Sequence, residues 1–138
     1  MKWFKWVFLF GLLATTSMQA SFAADDPKAP DTYAYYSLEP DIVTNYITAG
    51  KSLGYIRATI ELRVYHESKL KEVEHNSPLL RDAIIEILGS MDSDQIKSLS
   101  GRDKLKEQCL NAVNNLLFQE TGDKNIVADL IFTKYLYQ

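Results

Sequence analysis

Across residues 53–65 (LGYIRATIELRVY) apolar and polar side chains alternate. Ile56, Ala58, Ile60, Leu62 and Val64 fall on one side, and Arg57, Thr59, Glu61 and Arg63 on the other. Successive side chains of an extended chain point to opposite faces, so this period of two reads as a strand with one core face and one wet face. The wet face carries opposite charges that can pair across a sheet. The apolar face needs a second layer to cover it.

The following segment supplies that layer. Within residues 68–91 the period changes, and Leu79, Leu80, Ala83, Ile84, Ile87 and Leu88 form a helical stripe with Arg81, Asp82 and Glu86 facing away. Ser68 reads as a cap for a first helical segment. Pro78 either opens a second helix with Ser77 as its cap or bends a continuous one. Residues 92–99 have room for a helical turn. Ser100 and Asp103 suggest a weak capping box for another helix, on which Leu105, Cys109, Ala112, Val113 and Leu116 recur. Asn111, Asn114 and Asn115 are poor helix formers, so packing must hold that helix.

Extended chain flanks these elements. Residues 32–37 (TYAYYS) and 41–48 (DIVTNYIT) have strand character, with Pro40 interrupting it or confining it to an edge. Residues 125–138 form a last strand. Ile126, Ala128, Leu130, Phe132, Lys134 and Leu136 alternate there with Val127, Asp129, Ile131, Thr133, Tyr135 and Tyr137, and both sets are fairly apolar. One set packs on the helices. The other meets a partner or is covered as part of a central strand. The expected fold is α+β: a small, mainly antiparallel sheet of about three long strands with helices on one face, the last strand pairing with residues 53–65.

The N-terminus sets the compartment. Lys2 and Lys5 precede an apolar run (WVFLFGLLA, residues 6–14), and Ser21-Phe22-Ala23 fits the small-x-small cleavage rule. The run is short for a membrane span, which needs about 20 residues. Residues 1–23 therefore read as a signal peptide, with a short membrane anchor as the other reading. Residues 24–34, with DDPKAPD, read as a flexible linker, and residues 35–138 as a single exported domain.

Little catalytic chemistry can be assembled from the rest. Cys109 is the only cysteine of the 138 residues, which excludes an internal disulfide and a CxxC metal site. On its helical pattern it reads as a small buried hydrophobe. His66 and His75 lack ligand spacing for one helix. The serines lie at turns and caps, and no GxSxG occurs. Glu61, Asp82 and Glu86 do not converge. Gly50, Gly54, Gly89, Gly101 and Gly122 are scattered through turns, so no phosphate-cradling loop exists. The expectation is a non-enzyme with no catalytic residue, metal or cofactor. With a formal charge of -3 and no basic cluster, nucleic acid is not an expected partner. What remains is binding. Tyrosine supplies rigid contact area with a polar tip, and Tyr35, Tyr36, Tyr55, Tyr65, Tyr135 and Tyr137 are the candidate interface. Strand filling explains the same residues without a partner.

Read in order, residues 36–40 (YSLEP), 55–64 (YIRATIELRV), 77–88 (SPLLRDAIIEIL), 100–113 (SGRDKLKEQCLNAV) and 127–138 (VADLIFTKYLYQ) resemble the periplasmic domain of the flagellar basal-body protein FliL family. The resemblance covers roughly residues 36–138, and its specificity lies in the order and spacing of the pieces. It implies a stomatin-like (SPFH-like) domain at the flagellar basal body, associated with the stator, able to form a homo-oligomeric ring, and supporting motility under load and in swarming. It implies a periplasmic location, attached to the inner membrane in the usual member by an uncleaved helix that follows a cytoplasmic tail. Here the apolar run starts almost at Met1 and ends at a cleavage signal, which fits either a soluble paralogue or a truncated, divergent member. A periplasmic protein-binding module of another system is the alternative reading.

Overall fold

The computed structural model describes residues 32–50 and 52–138. The expected signal peptide and residues 24–31 of the expected linker lie outside the described residues, and the linker's last residue, Ala34, already opens the first strand. The elements run β1 (Ala34–Tyr46), β2 (Gly54–Val64), a 3-10 turn (Glu67–Lys69), α1 (Leu70–Gly89), α2 (Ser93–Lys97), α3 (Leu99–Thr121) and β3 (Val127–Tyr137). The strands form one antiparallel sheet in the order β1-β2-β3, and the helices are inserted between β2 and β3. This is the expected α+β layout. Among the described residues no helix is long and apolar enough to cross a membrane.

β2 carries the core. Ile56, Ala58, Ile60, Leu62 and Val64 are all completely buried. Under them lie two narrow helical seams: Val73, Leu80, Ile84 and Leu88 on α1, and Leu105, Cys109, Val113 and Leu117 on α3. The i, i+4 spacing of the second seam keeps it on one line of a 3.6-residue helix.

The two extended stretches on either side of Pro40 prove to be one strand. The Glu39-Pro40 peptide is cis, and the register with β2 shifts between Leu38 and Ile42. Proline lacks the N–H that a ladder needs, and a bulge on an edge strand tolerates that loss. Arg81, expected to face away, instead reaches this bulge from α1. Its Nη1 donates to the carbonyls of Leu38 at 3.1 Å and Pro40 at 2.5 Å.

Pro78 neither starts nor ends a helix, because α1 continues through it. Its site is exposed, so the carbonyl left without a helical donor faces water. Ser68 and Ser77 are therefore not caps, and α1 is entered through the 3-10 turn. The working caps are Asp92, reciprocally bonded with Gln95 in a capping box for α2, and Ser98, which accepts from Gly101 N at 3.1 Å to start α3. Gly101 is held by crowding: a Cβ there would lie 2.2 Å from the Gln95 carbonyl oxygen. α3 ends at Gly122 in the left-handed conformation.

β3 departs from simple alternation. Its register with β2 shifts between Thr59 and Ile60 and again between Arg63 and Val64, leaving Thr133 and Ala128 as the extra residues. Each bulge moves the following side chains to the other face. Val127, Leu130, Phe132, Tyr135 and Tyr137 thus pair with the buried row of β2, while Asp129, Ile131, Lys134 and Leu136 pair with the wet row. Both expected sets were mixtures of the two faces. Asn114 anchors the start of β3, because its side-chain amide donates to Val127 O and accepts from Val127 N, both at 2.9 Å.

Candidate functional site

The residues of a type that could serve catalysis are dispersed. His66 lies after β2 and His75 on α1, both exposed. Cys109 is buried in the α3 seam, and burial pushes its thiol up to about 12. A thiol so far from ionisation is neither a nucleophile nor a ready metal ligand at neutral pH. Among the described residues no three His, Cys, Asp or Glu side chains come together in a way that could hold a metal ion.

The candidate tyrosines do not form one patch. Tyr35 and Tyr65 are exposed near the end of the sheet where β1 begins, and Tyr33 joins them there. The Tyr33 and Tyr65 rings are 5.8 Å apart, and the Arg63 guanidinium lies 4.7 Å from the Tyr33 centroid. Tyr36 is half-buried against the core, opposite Leu62. Tyr55, Tyr135 and Tyr137 gather at the opposite end, where β2 begins and β3 finishes.

That second end is the most developed surface feature. A groove of about 520 Å³ runs around the C-terminal part of β3, bounded by Tyr55, Arg57, Arg102, Tyr135, Tyr137 and Gln138, with Leu136 beside them. Its wall is built from below. Backbone bonds between Tyr55 and Gln138, at 2.9 and 3.1 Å, carry the β2–β3 ladder to the edge of the groove. Tyr46 lies buried against Gly54, where no Cβ would fit, and donates its hydroxyl to Gln138 O at 2.8 Å. The Tyr135 hydroxyl donates to Ile96 O at 2.8 Å, tying β3 to α2. Burial pushes that hydroxyl up to about 12 despite the opposing charge of Arg102, so it remains a neutral donor.

Cations cover the aromatic wall. The Arg102 guanidinium lies 4.3 Å from the Tyr135 centroid and the Lys97 ammonium 6.0 Å from that of Tyr137. Tyr135 and Tyr137 meet edge to face, with centroids 6.1 Å apart. Arg102 Nε is buried with no hydrogen-bond partner among the described residues. No acidic side chain lines the groove.

The open face of the sheet has a different organisation. Asp41, set in the β1 bulge, accepts from the Thr59 hydroxyl at 2.6 Å and meets Arg57 and Lys134 at 3.2 Å each. The Thr59 bond and then the Lys134 contact hold its carboxyl below the usual value. This cluster joins all three strands, with one carboxylate shared between two cations.

Sequence reasoning did not single out Arg102 or Lys97. Arg102 stands in a helix-start context typical of surface residues, and only the antiparallel pairing brings the end of β3 beneath it.

The chain matches, over residues 35–138, the family model described as flagellar basal body-associated protein FliL. It is also similar to the flagellar protein FliL of Aquifex aeolicus (strain VF5), with 34% identity over 109 residues. That alignment takes in 79% of this chain and 64% of the relative, so the chain covers a little under two thirds of the relative's length.

Proposed function

This chain belongs to the FliL family of flagellar basal body-associated proteins, and from that premise we propose that it serves the flagellar motor as a periplasmic accessory beside the stator. It acts there by contact, with no bond made or broken. The observation that carries this reading is the extent of the family match, which takes in every strand and helix of the fold. The dispersal of its histidines and the burial of Cys109 accord with a binding role. The two-layer fold is compatible with a stomatin-like domain that assembles with further copies, for which the exposed tyrosines offer contact area.

Removal of the chain from its own cell, followed by re-expression, tests the role. Loss of swimming speed or of rotation under load, restored by the full chain, supports it, as does isolation of the chain together with stator proteins. Normal motility at every load would overturn it. We also propose that residues 1–23 direct export and are removed after Ala23. The mature N-terminus and the cell fraction decide this: a periplasmic chain starting at Ala24 supports cleavage, and an inner-membrane chain retaining Met1 refutes it.

A further inference from the structure

We propose that the groove around the end of β3 seats an extended, acidic peptide segment of a partner protein, its carboxylates meeting Arg102 and Lys97 and its apolar side chains lying on the tyrosine wall. This deepens the contact role proposed above and rests on it.

Charge selects the occupant. The protein as a whole is acidic, at -3, yet this groove is bounded by Arg57 and Arg102, with Lys97 over Tyr137, and no carboxylate side chain lines it. Of these, Arg57 already meets Asp41 at 3.2 Å. Arg102 has no ion pair among the described residues; its guanidinium is stacked on Tyr135, and its buried Nε lacks an acceptor. A planar guanidinium held against a ring is a preorganised carboxylate receptor. The apolar rim matches the same occupant: Leu136 lines the groove and is exposed at the end of β3.

The edge itself favours an extended segment. The first half of β3 is closed by its own protein. Asn114 bonds the Val127 backbone, Lys106 pairs with Asp129 at 2.9 Å, and the Asp129 carboxylate accepts from Leu130 N. Such devices blunt an edge strand. Residues 133–137 are tied through their side chains, Lys134 to Asp41 and Tyr135 to Ile96 O, but among the described residues no side chain bonds their backbone as Asn114 bonds that of Val127. A partner strand can therefore add there, with side chains alternating between the cations and the rings.

The test uses the full chain and a fluorescein-labelled peptide of alternating glutamate and leucine. Its controls are a twin with glutamine for glutamate and vesicles of phosphatidylglycerol. The acidic peptide should bind and the twin should not. Arg102→Gln should weaken binding by about tenfold or more, and Lys97→Gln by about threefold. Lys71→Gln, on the solvent side of α1, should leave binding unchanged. Thermal melts establish that each variant folds; if Arg102→Gln does not, Arg57→Gln with Lys97→Gln carries the test. Equal binding of the twin overturns the proposal. So does binding to the vesicles in place of the peptide, or self-association of the chain abolished by Arg102→Gln without peptide binding. Motility separates the two levels. If the acidic peptide fails to bind while removal of the chain still impairs motility, this inference falls and the contact role stands.

Discussion

The two faces of β2 are made from neighbouring residues and obey different physics. On the covered face, Ile56, Ala58, Ile60, Leu62 and Val64 are stripped of water and packed against the α1 and α3 seams. Their contribution scales with the area removed from solvent and with how completely the space is filled. On the open face, Arg57 and Thr59 meet Asp41 in water, where attraction is screened and exposed pairs contribute little. The covered face thus specifies the fold, while the open face tolerates change.

Substitution across β2 breaks this comparison most directly. Leu62→Ala leaves a cavity among fully buried neighbours and should cost about 2–5 kcal/mol, whereas Glu61→Ala, one residue away on the open face, should stay within about 0.5 kcal/mol. Urea unfolding of the two variants measures both, and similar midpoints would show that the open face bears more of the fold than its geometry indicates.

Gly101→Ala tests the same contrast at the helix junction. A methyl group would meet the Gln95 backbone at 2.2 Å, and the resulting displacement of α2 should cost about 3 kcal/mol, despite alanine's better helix propensity. A thermal melt shows the loss; a rise in stability would mean that α2 shifts freely.

Arg81→Ala should follow at about 1–2 kcal/mol, since its charged donor to Leu38 O and Pro40 O is half-buried. Amide hydrogen exchange should rise around the β1 bulge before it rises in β2.

The smallest effect is a pH dependence. The Asp41 carboxyl is held below 3.8 by the Thr59 hydroxyl first and the Lys134 contact second. A depressed folded value adds stability that is complete above the unfolded value and is lost as pH falls through the folded one. As pH falls below 3.8 the natural protein should therefore lose more stability than Asp41→Asn. Parallel melting curves for the two would remove Asp41 from the account.

These differences also explain what could be read from the chain alone. The β2 alternation is legible because each core residue repeats the same signal. The α3 seam is legible too, since Leu105, Cys109 and Val113 recur at one spacing. In β3 the same reading fails, because Thr133 and Ala128 are surplus residues only relative to a partner strand. Arg81 and Asn114 escape for a related reason: each bonds a backbone distant in sequence, and their side chains carry no mark of it. Of the candidate site, the tyrosines Tyr55, Tyr135 and Tyr137 were visible as a composition. Their separation from Tyr35 and Tyr65 depends on which ends of the strands meet, and Arg102 enters only through that meeting.

The helices inserted between β2 and β3 also set an order of events. β1 and β2 are joined by a short connection and can zip together as a local pair. The other margin of β2 has to wait, since its mate is the last element of the fold to be made. Closing that long excursion is a slow, entropically demanding step, and a half-finished sheet is prone to mispairing in the meantime. Docking of residues 127–137 thus closes the sheet, and the same long-range step completes the groove.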